Sequence, residues 1–128
     1  MTRSPWKTFA KGRAGRTLPG QMNRMETAYA ELLELRRRAD EIEWYAYEGI
    51  TFRLTHSDHG RPGQTYTPDF SVMLPDGQLE FHEVKGFQDM KNINKIKVAA
   101  DKFPVRFIMV QRRRKKDGGG WTIEEFGQ

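Results

Sequence analysis

Asp69, Glu83 and Lys85 are the residues whose types and spacing can do chemistry together. Asp69 follows Pro68 near the start of an alternating segment, Tyr66 to Leu74, and Glu83-Val84-Lys85 closes a second one, Leu79 to Phe87. Pro75-Asp76-Gly77 between them is a hairpin turn. Strand alternation puts Glu83 and Lys85 on one face and lets Asp69, on the partner strand, come alongside Glu83. Leu79 and Phe81 share that face, so the charges point toward an apolar interior. Such burial is costly unless the charges neutralise one another or hold a cation. Two carboxylates against one lysine suit a hard divalent ion such as Mg2+. A lysine beside that ion can position or deprotonate a water and steady the charge on a phosphate. The matching reaction is metal-assisted hydrolysis of a phosphodiester, with room in principle for a second ion roughly 4 Å away.

The elements that must position these groups are legible in outline. Asn23 with Glu26 fits a capping box, and Met25, Ala28, Leu32, Leu35, Ala39 and Ile42 predict one buried stripe of an amphipathic helix. Arg36, Arg37 and Arg38 complement the dipole of its last turns. Glu26 suits two roles, partner of Asn23 or helix acid of a metal site. Glu43 to Glu48 and Ile50 to Leu54 predict strands, His56 to Gly63 a polar turn, and Lys91 to Lys102 a basic helix with Ile93, Ile96 and Ala100 inward. Val105 to Val110 reads as a buried strand and Trp121 to Phe126 as a last one, joined through a glycine-rich turn.

Composition narrows the partners. The chain has 128 residues and no cysteine, one domain of ordinary size without disulfides or thiolate chemistry. No apolar run reaches the roughly 18 residues that span a bilayer, and no signal-peptide pattern opens the chain, so the reading is a soluble, unexported, cytoplasmic protein without membrane contact. The net charge of +5 is concentrated: residues 1–20 carry Arg3, Lys7, Lys11, Arg13 and Arg16 with no acid, a basic arm ahead of a single domain over 21–128. A second block, Arg112, Arg113, Arg114, Lys115 and Lys116, lies near the C-terminus. Clusters of this kind suit a polyanion, since each phosphate contact releases condensed counterions.

Pro68-Asp69, Glu83-Val84-Lys85 and the upstream helical Glu26 resemble the PD-(D/E)xK nuclease superfamily. The longer string Tyr66-Thr67-Pro68-Asp69-Phe70, Leu74-Pro75-Asp76-Gly77 and Glu83-Val84-Lys85-Gly86 is similar to phage-type endonuclease I, a Holliday-junction resolvase. The resemblance covers about residues 22–110. It implies a restriction-endonuclease-like α/β core with a mixed sheet flanked by helices, here followed by a C-terminal hairpin. It also implies a phage or bacterial homodimer that cuts branched or four-way DNA with Mg2+, or Mn2+ as substitute, leaving 5′-phosphates. Carried over, Asp69 and Glu83 become metal ligands, the Val84 carbonyl a further ligand, Lys85 the catalytic lysine and Glu26 the helix acid.

Other residues fit blander roles as well as sharper ones. His56, Asp58 and His59 sit among loop residues. His82 should face away from Glu83, as a packing or surface residue. Trp44, Tyr45 and Tyr47 suit a core as well as base stacking. Lys91, Lys95 and Lys97 suit a solvated face or a phosphate track. Two alternatives stand beside a junction resolvase: a restriction-, repair- or transposition-type nuclease of the same superfamily, and a non-catalytic basic DNA-binding protein.

Overall fold

The computed structural model describes residues 21–86 and 89–127. Helix α1 spans Arg24–Arg38, followed by β1 (Trp44–Tyr47), β2 (Phe52–Arg53), β3 (Thr65–Tyr66), β4 (Phe70–Met73), β5 (Leu79–Lys85), α2 (Ile93–Lys102), β6 (Arg106–Arg112) and β7 (Trp121–Phe126). The fold is α/β. A five-stranded mixed sheet runs β1-β4-β5-β6-β7, and β2 and β3 form a separate two-stranded sheet. Only β5 and β6 are parallel, joined by the crossover helix α2. The C-terminal hairpin is therefore the β6–β7 edge of the main sheet, in continuous register from Phe107↔Phe126 to Arg112↔Trp121.

The helices cover opposite faces. On one side Tyr29, Ala30 and Leu33 of α1 pack on Phe70, Val72, Val84, Ile108 and Val110. On the other, Ile96, Ala99 and Ala100 of α2 and Leu54 and Tyr66 pack on Phe81 and Phe107. Both faces of β5 are thus closed, and Glu80 through Lys85 are all buried.

The α1 cap is as expected: the Asn23 side chain accepts from Glu26 N at 2.8 Å, and the Glu26 carboxylate accepts from Asn23 N at 2.9 Å. The buried stripe is not. It runs through Tyr29, Ala30 and Leu33, while Met25, Ala28 and Leu32 are half-buried and Leu35 is 62% exposed; beyond the helix Ala39 is exposed and Ile42 is buried as expected. Tyr29 is an amphipathic residue that a purely apolar pattern skips; its ring packs edge-on to Phe70 and Trp121, and its hydroxyl finds a buried partner. Three further expectations change. Of Ile50 to Leu54 only Phe52–Arg53 is strand. Tyr66 to Leu74 is not one strand but two, because Pro68, fully buried and without an N–H to donate, ends β3 before β4 begins. Lys91 lies in the turn ahead of α2, whose buried residues are Ile96, Ala99 and Ala100, with Ile93 half-buried.

Candidate active site

The break at Pro68 decides where Asp69 goes. β4 pairs with β5 from Phe70↔His82 onward, so Asp69, one residue earlier, lies level with Glu83 at the end of the hairpin. Its Oδ2 accepts the Val84 N–H at 2.8 Å, and its carbonyl accepts the Glu48 N–H at 2.9 Å. Asp69 is thereby held from both neighbouring strands.

Glu83 and Lys85 share the α2 face of β5, as alternation requires. Lys85 Nζ donates to Glu83 Oε2 at 3.0 Å, with both side chains almost wholly buried. Tyr66 OH donates to Glu83 Oε1 at 2.7 Å, so both carboxylate oxygens are held. Glu26 arrives from the first turn of α1 on the other face. Its Oε1 accepts from Tyr47 OH at 3.1 Å as well as from its own cap. The two roles open to Glu26 are therefore compatible: the cap holds its carboxylate at the end of the sheet, where its charge acts on Asp69. Val84 presents its N–H, rather than its carbonyl, to Asp69.

Electrostatics mark this corner as acid-rich. Burial, then the charges of Glu83 and Glu26, push the Asp69 carboxyl up to about 9. Glu48 is also raised, by burial and then by Glu26 and Glu83. Burial first, with neighbouring carboxylates, raises both Tyr47 and Tyr66. Among the described residues, four carboxylates thus act on one another beside the ammonium of Lys85. A positive ion would relieve that imbalance.

The donors are hard oxygens, the right chemistry for Mg2+. Among the described residues no three His, Cys, Asp or Glu side chains form a metal-holding group. Mg2+ does not require one: it is commonly held by one or two carboxylates, with waters and substrate phosphate filling its octahedron. Asp69 and Glu83 meet that demand. Glu48, Tyr47 and Tyr66 are the members that sequence reasoning missed. The signal for Glu48 was slight, an acid directly before Gly49 at the end of an aromatic strand, where it adopts φ 50°.

Topology places those of the expected DNA-binding residues that are described at the same end of the sheet. Lys85 is in register with Gln111, whose Nε2 donates to the Gly86 carbonyl at 2.9 Å, and Arg112 to Lys116 follow immediately. Because α2 starts where β5 stops, exposed Lys91 and half-buried Lys95 also lie at this end. Lys7, Lys11, Arg13 and Arg16 lie outside the described residues.

Two histidine sites stand apart. His56, Asp58 and His59 occupy the exposed connection between β2 and β3, where Asp58 binds His59 and Arg61. His82 faces away from Glu83, as alternation predicts, but it lies in a polar cluster under α1. Its Nδ1 is 2.7 Å from Tyr29 OH and its Nε2 is 3.1 Å from Glu80 Oε1. Arg106 closes the cluster against Glu80 and Glu125.

No protein-family model, curated protein or solved structure matches the chain. Among the described residues no helix is long and apolar enough to cross a membrane.

Proposed function

We propose that the protein is a Mg2+-dependent DNA endonuclease of the PD-(D/E)xK type, acting on branched DNA such as a four-way junction. The observation that carries this reading is the Asp69 carboxyl, held on Val84 N beside Glu83 and Glu26, with Lys85 bound to Glu83. A purely DNA-binding protein gains nothing from carboxylates gathered where phosphates dock. The helix–strand–helix order with a mixed sheet agrees with the restriction-endonuclease-like core that the motif implies.

In this reading Asp69 and Glu83 hold the ion, Mn2+ substituting for Mg2+, and Glu26 and Glu48 deepen the negative field that attracts it. The bound ion supplies Lewis-acid polarisation of the phosphoryl group and a more acidic water. Tyr66 and Val84 N–H orient the two carboxylates, leaving them little freedom to lose when the site fills. Lys85 contributes an ammonium beside the carboxylate pair, to orient the attacking water and stabilise charge building on the phosphoryl oxygens. Lys91, Lys95 and the Arg112–Lys116 run anchor phosphates around the site. A homodimer would present two such sites and cut two strands of a branched substrate by shape rather than base sequence. Its place of action is intracellular, phage or bacterial.

The test is a denaturing gel of labelled four-way junction, flap, nicked and linear DNA with Mg2+ or with EDTA. Mg2+-dependent products enriched on the junction, and none from Asp69→Ala, are expected. Products favouring linear or flap DNA would move the assignment to a restriction- or repair-type nuclease. Cutting by Asp69→Ala at the unaltered rate would end it.

A further inference from the structure

The two edges of the main sheet are built differently. β1 has four residues, and Glu48, at φ 50°, turns the chain away directly after it. β7 has six, in unbroken register with β6 and with no second neighbour among the described strands. It carries none of the chain's 22 lysines and arginines, no proline and no bulge, the devices that ordinarily blunt an edge. Of its two acids, Glu125 is paired with Arg106 and Glu124 is exposed. At the foot of the hairpin Arg113 N donates to Gly120 O. Alternation from that pair turns the N–H and C=O of Thr122, Glu124 and Phe126 onto β6, and those of Trp121, Ile123 and Glu125 outward.

The apolar surface of the sheet runs out to this edge. Val84, Val110 and Ile123 are register partners in one row across β5, β6 and β7, on the face that α1 covers. Val84 and Val110 are buried, while Ile123 is 69% exposed. The residues flanking Ile123 on that face differ in charge. On one side the Arg112 guanidinium lies 5.4 Å over the Trp121 ring, and on the other stands Glu125.

We infer, resting on the homodimer of the proposed function but not on its chemistry, that β7 pairs antiparallel with β7 of a second copy, Ile123 against Ile123, joining two five-stranded sheets into one. A two-fold axis through such a sheet must pass a residue that opposes itself. On Ile123 it brings all three outward residues into hydrogen-bonded pairs, about six bonds in all. The row Val84–Val110–Ile123 then meets its own copy and continues unbroken across the join. The same register sets Glu125 of each copy against Trp121 of the other, beside Arg112, so the edge is complementary to itself in charge. An axis on Glu124 would oppose two like charges, and one on Thr122 would carry Glu125 past the end of the partner strand.

The experiment uses the full chain, which has no cysteine of its own. Cα atoms of a hydrogen-bonded antiparallel pair lie about 5.5 Å apart, within disulfide range. Under mild oxidation Ile123→Cys should therefore form a disulfide dimer at least about tenfold faster than Glu124→Cys, whose copies in this register stand roughly 8 Å apart. Sedimentation of the unaltered chain should show dimer by about 100 µM. Ile123→Lys sets two ammonium groups in opposition at an exposed position, and should raise the dissociation constant at least about tenfold with the melting temperature of dilute protein unchanged. A chain that stays monomeric at that concentration leaves β7 to another occupant and overturns the inference. So does crosslinking through Glu124→Cys as fast as through Ile123→Cys, or a dimer indifferent to Ile123→Lys. Cleavage of junction DNA keeps the two readings apart. A β7 dimer that cuts no substrate removes the nuclease and keeps the interface, while Mg2+-dependent cutting by a monomer does the reverse.

Discussion

Strand β5 carries two acid–base pairs of the same spacing and nearly the same burial, and they come to opposite electrostatic ends. Glu80 and His82 lie on the α1 face and Glu83 and Lys85 on the α2 face, all four less than a tenth exposed. Around Glu80 every donor meets an acceptor: His82 hydrogen-bonds one oxygen, Arg106 pairs with the other, and Tyr29 completes the far side of the imidazole. The His82 hydrogen bond first, then nearby cationic charge, hold the Glu80 carboxyl below its ordinary range. Around Glu83 the acids outnumber the bases, and the surplus falls on Asp69, which is pushed up to about 9. The first cluster is closed and gains nothing from a ligand. The second keeps a surplus of acid, the electrostatic setting in which the proposed cation would bind.

The largest effect that would sharpen this contrast is on cleavage. Lys85→Met, close in volume, and Asp69→Ala should each lower the single-turnover rate on a junction by at least about a thousandfold. Glu80→Gln should leave it within about threefold, since that pair touches no reacting group. Equal losses at both pairs would erase the distinction.

Stability should move the other way. In metal-free buffer at neutral pH, Asp69→Asn keeps an acceptor for Val84 N–H and removes the need to protonate a buried carboxyl on folding, so urea unfolding should show a gain on the order of 2 kcal/mol. Glu80→Ala leaves His82 and Arg106 without their shared partner and should cost about 2–4 kcal/mol. A destabilised Asp69→Asn would mean that the acid-rich corner is satisfied after all.

Their pH dependences should diverge in the same sense. A carboxyl raised in the folded state contributes stability that is fully present below its unfolded value and lost as pH rises through about 9 for Asp69. The advantage of Asp69→Asn should therefore grow from acid toward pH 9. Glu80, being lowered, contributes stability present above its ordinary range and lost as pH falls through its folded value. In the proposed reading Mg2+ would displace the Asp69 proton, so calorimetry in buffers of differing ionisation enthalpy should detect about one proton released per ion bound near neutral pH. Release of none would place the ion elsewhere.

The smallest effect compares the two ends of the sheet that these clusters mark. Lys91 stands ahead of α2 at the Glu83 end and Lys102 closes α2 at the other. Lys91→Ala should reduce the salt slope of DNA binding by about 0.9, and Lys102→Ala should leave it unchanged.

By itself the sequence determined the α1 cap, the hairpin turn and the shared face of Glu83 and Lys85, because each depends on near neighbours: a three-residue capping contact, a turn, a period of two; the mixed α/β sheet was expected only from the resemblance of the motif. Asp69 beside Glu83 followed from the same local logic. Where the helix turned its stripe, and that Tyr29 rather than Leu35 faced inward, depended on which distant groups could receive it. The gathering of Glu26, Glu48 and Asp69, from a helix, a strand end and a proline-broken hairpin, was also decided only by tertiary structure. So was the closing of His82 onto Glu80 and Tyr29. Charge between such groups acts through space rather than along the chain, and only the packing of α1 against the sheet set the distances on which it depends.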